Sequence, residues 1–124
     1  MAAEITSLFN PLGTRVLRDT AVTNSAVNGL TNASSTIYAI EFDNTMNSSV
    51  TYLKMYENAS PTIGTTAPSF ILKAAASTKE YFSMPTGMDH NTAITYIATT
   101  TQSNSVGSPS APSNACTLNI LFVP

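Results

Sequence analysis

The chain has 124 residues and a net charge of −2, and only 10% of its residues are charged, against about 25% in an average soluble domain. This length suits one domain with a substantial core, and so weak a charge gives no long-range attraction to nucleic acid or to an anionic membrane. Ser, Thr and Asn account for 45 residues, and a chain rich in them forms strands and turns more readily than helices.

Residues 1–13 are predicted to form an irregular N-terminal arm. Its large apolar side chains have loose helical spacing, but Pro11 and Gly13 end any helix after one or two turns. The arm is either a frayed terminus or a segment that docks on a neighbouring subunit. For the second alternative, the apolar interface residues are Ile5, Leu8, Phe9 and Leu12.

Residues 14–124 are predicted to form a β-sandwich domain. Its first strand lies within residues 14–22, where Arg15 and Arg18 either pair with an acidic partner or occupy a solvated strand face. These two arginines complete the candidate interface. The next segment, residues 23–34, is rich in Asn, Ser and Thr and is expected to be a connector.

The clearest strand pattern lies in residues 35–56. In its first run Tyr38, Ile40 and Phe42 share one face, and a second alternating run covers residues 50–56. The polar sequence DNTMNSS separates the two runs, and its Asp and Asn side chains favour turns. We therefore expect an antiparallel hairpin with a loop of about six residues.

The rest of the chain alternates between short strand patterns and turn-forming segments. Strands are predicted at residues 70–73, 79–83, 92–101 and 115–123. Turns or loops are expected at residues 57–69, 74–78, 84–91 and 102–114. About six to eight short strands separated in this way favour an all-β fold, an antiparallel β-sandwich of jelly-roll type.

Residues that could support catalysis or metal binding are few. His90 is the only histidine, and the adjacent Asp89 would point away from it and could not orient it as a base. One histidine and the single Cys116 make no zinc site without several carboxylates. Glu41 and Asp43 share a strand face and could act as a carboxylate pair or bind calcium, although Asp43 is better explained as a turn cap.

Other function classes lack their sequence signals as well. The basic residues form no stripe for nucleic acid, and no glycine-rich phosphate loop is present. No apolar run approaches the length of a membrane span, and no basic-then-apolar leader suggests a signal peptide. The tyrosines could stack on sugars but lie in strand patterns, where packing comes first. We expect a protein without enzymatic activity, cofactor or metal, which acts through its surface.

The central segment has a distinctive order of motifs. An alternating aromatic strand ends in DNT at residues 43–45, YLKMY follows at 52–56, and Ala59 precedes PTIGTTAP at 61–68. This order resembles a pattern in small structural proteins of tailed phages, many of them from cyanobacterial and marine hosts. The resemblance covers the chain from about Ile37 to Thr100.

Some proteins with this pattern resemble capsid cement, or decoration, proteins. Those are β-sandwiches on the outer shell of the phage head that tie neighbouring major capsid proteins together, often as dimers or trimers. The resemblance implies a structural virion protein on the capsid surface, with the major capsid protein and further copies of itself as partners. The alternative is a tail protein or a receptor- or carbohydrate-binding β-sandwich module.

Overall fold

The computed structural model of this chain describes residues 3–7, 15–30, 34–103 and 109–124. These residues form strands and no helix, so none of them lies in a helix that could cross a membrane. The strands are β1 (Ala3–Ser7), β2 (Arg15–Val22), β3 (Val27–Leu30), β4 (Ser35–Asp43), β5 (Thr51–Tyr56), β6 (Phe70–Ala74), β7 (Lys79–His90), β8 (Ile94–Thr99) and β9 (Cys116–Val123). The predicted all-β class is confirmed.

The strands form two antiparallel sheets that pack face to face. One sheet has the order β1-β2-β9-β4-β7, and the other has the order β3-β8-β5-β6. Pairing is nested along the chain, because β2 pairs with β9, β3 with β8, β4 with β7, and β5 with β6. The chain therefore behaves as one long hairpin rolled into a sandwich, which is a jelly-roll arrangement. The predicted antiparallel, jelly-roll-like sandwich is confirmed, with nine strands in the described residues rather than six to eight.

Alternation of apolar and polar residues places the core between the sheets. In β9 every second residue is buried: Cys116, Leu118, Ile120 and Phe122. The facing sheet contributes Leu53, Met55, Ile94, Tyr96 and Ala98, all of which are buried. Each large side chain buried in this way contributes about 1.5–3 kcal/mol of transfer free energy.

The predicted hairpin of residues 35–56 is wrong, although both of its strands form. β4 pairs with β7 and β9, whereas β5 pairs with β6 and β8 in the other sheet. The connection between them crosses from one sheet to the other. Sequence alternation assigns each strand a core-facing side, but both sheets face the same core, so the pattern does not specify the pairing partner.

The turn predicted at residues 84–91 is also wrong, because β7 continues through residues 84–90. The register of its pairing with β4 shifts between Ile37 and Ala39, so β7 carries extra residues there. Gly87 has a φ of +83° within this irregular part. Pro85 is tolerated because β7 is an edge strand and needs fewer backbone donors.

Two short edge strands lie where irregular structure was predicted. Residues 3–7 of the predicted arm form β1, which pairs antiparallel with β2, and the rest of the arm lies outside the described residues. Residues 27–30 of the predicted connector form β3, which pairs with β8. Their sequences, AEITS and VNGL, are short and weakly alternating, so the neighbouring strand rather than local periodicity determines their structure.

Two buried asparagines hold together the connections at one end of the sandwich. Asn44 Nδ2 donates to the carbonyl oxygens of Ser49 (3.0 Å) and Ala75 (3.1 Å). Asn47 Nδ2 donates to Asn44 Oδ1 (2.9 Å) and to the Asn114 carbonyl oxygen (3.0 Å), and Asn47 Oδ1 accepts from Asn114 N (2.7 Å). The network therefore joins the β4–β5, β6–β7 and β8–β9 connections.

Cys116 packs beside this network. Its side chain is 1% exposed, and its Sγ lies 3.5 Å from Asn47 Nδ2. Burial, and then the negative charge of Asp43, raises the pKa of the Cys116 thiol to about 11, while the hydrogen bond from Asn47 acts in the opposite direction. The cysteine is a small buried side chain, as its strand pattern predicted.

We expect Cys116 to make the folded protein less stable at alkaline pH. The unfolded thiol ionises from about pH 9, whereas the folded thiol keeps its proton to about pH 11. The folded state therefore binds more protons above pH 9, and the free energy of unfolding falls as pH rises from 9 towards 11. Urea denaturation should show that the free energy of unfolding of the unsubstituted protein falls by about 1–2 kcal/mol more than that of Cys116→Ala between pH 8 and pH 10.5. Equal losses in the two proteins would contradict this assignment.

The outer faces of the two sheets differ. β8 is buried throughout and β5 almost throughout, because the β5–β6 and β8–β9 connections cover the four-stranded sheet. Thr95 Oγ1 donates to the Asn58 carbonyl oxygen (2.7 Å), and Lys54 Nζ donates to the carbonyl oxygen of Ser103. Among the described residues no connection covers the five-stranded sheet in the same way. Its outer face and the edge strand β1 are therefore left uncovered by the described residues.

Candidate interaction surface

Strand β1 is an open edge of the five-stranded sheet. Among the described strands it pairs only with β2, which leaves the backbone groups on its other side available to a partner. The end strand of the second sheet, β3, lies against β2. Ile5 lies opposite the buried Leu17, yet Ile5 is 52% exposed. An apolar side chain of core type is therefore left uncovered at this edge.

A pocket of about 210 Å³ lies beside Ile5. Its lining combines apolar side chains with two serines and one exposed cation. We call this region the β1 corner and define it by Ile5, Arg15, Leu30, Phe122 and Pro124. Such a pocket can accept an apolar side chain of a partner, while the guanidinium of Arg15 can pair with a carboxylate.

The structure brings together two of the six predicted interface residues. Ile5 and Arg15 both line the β1 corner. Arg18 lies three positions further along β2 and points to the outer face, where its Nη1 donates to Asn119 Oδ1 (3.3 Å). Because successive side chains of a strand point to opposite faces, the two arginines lie on opposite faces of the sheet. The other predicted residues lie outside the described part of the chain: Leu8, Phe9 and Leu12.

The outer face of the five-stranded sheet carries a row of polar side chains across four strands. Arg18 on β2 donates to Asn119 on β9, and Asn119 Nδ2 donates to Glu41 Oε1 on β4 at 3.1 Å. Lys79 Nζ on β7 lies 3.9 Å from the same Glu41 oxygen. We call these four residues the polar row. Their mutual contacts hold the side chains in defined positions at the surface.

An apolar groove of about 310 Å³ lies next to the polar row. Tyr81, which is 68% exposed, forms one side of this groove. Four lining residues are in register across four strands of the same sheet face, namely Val16, Leu121, Ala39 and Ser83. Glu41 and Asn119 of the polar row also line the groove. We call it the outer groove and define it by Val16, Ala39, Tyr81, Ser83 and Leu121.

Glu41 and Asp43 share a strand face, as predicted, and both lie near one cation. Lys79 Nζ is 3.9 Å from Glu41 Oε1 and 3.8 Å from Asp43 Oδ2. Asp43 Oδ1 accepts hydrogen bonds from Thr45 N (2.9 Å) and Thr45 Oγ1, so Asp43 caps the turn as predicted. Burial raises the pKa of Asp43, but the Thr45 hydrogen bonds and the Lys79 charge outweigh it and leave the pKa below its usual value. No cluster of acidic, His or Cys side chains among the described residues is arranged to hold a metal ion.

His90 forms a cross-strand pair with Ser35. Its side chain is 3% exposed, its Nε2 is hydrogen-bonded to Ser35 Oγ, and its Nδ1 is hydrogen-bonded to the Thr92 carbonyl oxygen. Asp89 instead accepts from Thr36 Oγ1 (2.6 Å), so it does not orient His90. Both ring nitrogens are occupied within the chain, which accounts for the buried histidine without a bound ligand.

Sequence reasoning missed Tyr81 and Asn119 as surface residues. The segment KEYFS indicated that Tyr81 and Phe82 point to opposite faces, but not which of them is inside. In the structure Phe82 packs against the core, and Tyr81 is left outside. Asn119 occupies an outward position of a strand that was assigned mainly by its apolar face.

Comparisons of the chain with protein-family models, with curated proteins and with solved structures find no significant match. The resemblance to phage structural proteins stays a prediction. A functional proposal therefore rests on the fold, the β1 corner and the outer face of the five-stranded sheet.

Proposed function

We propose that this chain is a structural virion protein, a capsid cement protein that binds the outer surface of a tailed-phage head and stabilises contacts between major capsid proteins. The observation that carries the proposal is the β1 corner. There an edge strand that pairs on one side only with the described strands places the half-exposed Ile5 next to a largely apolar pocket. Such an edge favours docking onto another protein over isolation in solvent.

The geometry of β1 suits addition of a strand from a partner. Backbone groups on its free side can form main-chain hydrogen bonds, while the adjacent pocket can take a side chain of the same segment. This mode of binding needs a rigid platform, and the jelly-roll sandwich supplies one. Jelly rolls are also a common architecture of viral capsid domains. The partners in this proposal are the major capsid protein and further copies of this chain.

Assembly as a dimer or trimer would strengthen such a contact. Once one subunit of an oligomer is bound to the head, each further contact is effectively intramolecular, and individually weak contacts add to a high avidity. The low content of charged residues fits the same picture, because 10% charge gives weak protection against association. A surface of this kind is best kept covered in an assembly.

The side chains that could take part in catalysis also fit a role without it. Glu41 and Asp43 lie beside Lys79, and His90 is engaged by Ser35 and a carbonyl oxygen. Each makes contacts within the chain, although His90 and Ser35 also line a polar pocket of about 290 Å³. A protein that joins capsid subunits requires stable surfaces more than reactive side chains.

Phage heads that lack this protein provide the test. Purified protein added to such heads is expected to co-sediment with them to saturation and to raise the temperature at which they release DNA. Isolated tails serve as the comparison. Saturable binding to tails alone, or heads whose thermal stability does not change on saturation, would contradict the proposal.

A further inference from the structure

We propose that the outer groove binds a pyranose ring, so that the chain carries a saccharide site on the face of the five-stranded sheet. The site combines the exposed aromatic ring of Tyr81, an apolar depression and the adjacent polar row. It lies on the side of the sheet opposite the core-facing Ile5 of the β1 corner. The inference therefore goes beyond the cement role and does not depend on it.

The shape of the outer groove follows from small residues in the middle of the sheet. Ser83, Ala39, Leu121 and Val16 are cross-strand neighbours in one row on β7, β4, β9 and β2. Ala39 and Ser83 have short side chains, so the surface dips between Tyr81 and Leu121. The volume of about 310 Å³ is at the lower end for small-molecule sites, which suits a single ring.

Tyr81 provides the stacking surface. It is 68% exposed although it is a large aromatic residue in a regular strand, and exposed aromatics beside an apolar depression mark binding sites. The C–H bonds on one face of a pyranose ring make that face apolar, so it can lie against the phenol ring. Stacking of this kind removes apolar area from water on both partners.

The polar row supplies what the hydroxyl groups of a sugar require. Each hydroxyl both donates and accepts a hydrogen bond, and Asn119, Arg18 and Glu41 offer donors and acceptors side by side. The row lies two residues along the strands from the groove floor, a distance of about 7 Å. A ring on the apolar floor can therefore reach it with its hydroxyls.

Preorganisation favours a small polar ligand at this site. The contacts Arg18–Asn119, Asn119–Glu41 and Glu41–Lys79 restrict the polar side chains before binding. Less side-chain entropy is then lost on binding, which partly compensates for the small contact area. The balance of positive and negative groups suits a neutral sugar better than a strongly charged ligand.

The test is a titration of the ¹⁵N-labelled chain, followed by NMR, with four probes: cellotriose, maltotriose, mannotriose and triacetylchitotriose. We expect at least one probe to produce saturable shifts in β4, β7 and β9, with a Kd of about 0.1–10 mM. Tyr81→Ala should weaken this binding at least tenfold, and Tyr81→Phe should retain it. Met46→Ala is the matched control, since Met46 is 70% exposed and lies in the connection after β4, outside the groove lining.

Two results would overturn the inference. One is the absence of saturable shifts with all four probes, and the other is binding that Tyr81→Ala leaves unchanged. Head binding by Tyr81→Ala separates this inference from the proposed function. We expect Tyr81→Ala to bind heads as well as the unsubstituted protein does. If Tyr81→Ala loses head binding and the unsubstituted protein binds none of the sugars, the groove is part of the capsid contact. That result rejects the saccharide site and leaves the proposed function standing.

Discussion

Replacing Asn47 by Ala is expected to lower the free energy of unfolding by about 3–4 kcal/mol. Asn47 is 3% exposed, and its side-chain amide contacts Asn44, Asn114 and Cys116. The substitution removes these bonds and leaves buried polar groups of the partners without a bond, which costs about 1–3 kcal/mol for each such group. For a chain of this size the loss corresponds to a fall in Tm of roughly 10–15 °C.

A neighbouring residue gives the matched control for this prediction. Ser48 is exposed in the same connection, so Ser48→Ala should change stability by less than about 0.5 kcal/mol. Asn47→Asp preserves the side-chain volume but replaces the amide donor with a second acceptor, so it should also be strongly destabilising. Urea denaturation measures all three variants. A loss below about 1 kcal/mol for Asn47→Ala would show that the network is not a main support of the fold.

Replacing Ile5 by Arg is expected to weaken binding to phage heads by at least about 100-fold, or nearly 3 kcal/mol. Ile5 is the exposed apolar centre of the β1 corner, and a guanidinium there would have to be desolvated against the partner. The stability of the isolated protein should change little, since the side chain is already half in solvent. Multivalent attachment would amplify the effect on whole oligomers.

Thr6→Arg is the control for Ile5→Arg. It introduces the same side chain one residue further along β1, on the opposite face of the strand, where Thr6 is exposed. Co-sedimentation with heads should separate the two variants. Deletion of residues 1–12 should likewise abolish tight binding while β2–β9 stay folded. Head binding by Ile5→Arg at the native level, or a large fall in Tm on deletion, would contradict this account.

The sequence was sufficient to predict elements whose apolar pattern is strong. The alternation in β9 placed Leu118, Ile120 and Phe122 on one face, and all three are buried. The frequent turn signals divide the chain into many short strands. Each strand has an apolar face that must be covered, and in a chain without helix patterns another sheet has to cover it, which predicts a sandwich. These features depend on local periodicity, which the sequence displays directly.

Features that depend on contacts between distant residues could not be predicted in the same way. Asn44 and Asn47 have the composition of a turn, and only the approach of Ala75 and Asn114 makes them a buried network. The expected hairpin failed for the same reason, since β4 finds its partners in β7 and β9. Likewise, β1 forms a strand because it pairs with β2, whereas its own sequence has no strong strand pattern.

The candidate surface shows the same division. Ile5 and Arg15 were identified from their residue types, and the structure places both at the β1 corner. Arg18 was grouped with them by proximity in sequence, but the period of two in β2 sends it to the other face. Tyr81 is exposed because Phe82 occupies the core-facing position of β7, and the alternation of the sequence does not show which of the two faces inward.

Electron cryo-microscopy of phage heads with and without this protein tests the central proposal most directly. The proposal predicts extra density on the outer shell, repeated at the junctions between major capsid proteins, with the β1 corner turned towards the shell. Density found only at the tail, or shells that are identical with and without the protein, would contradict it.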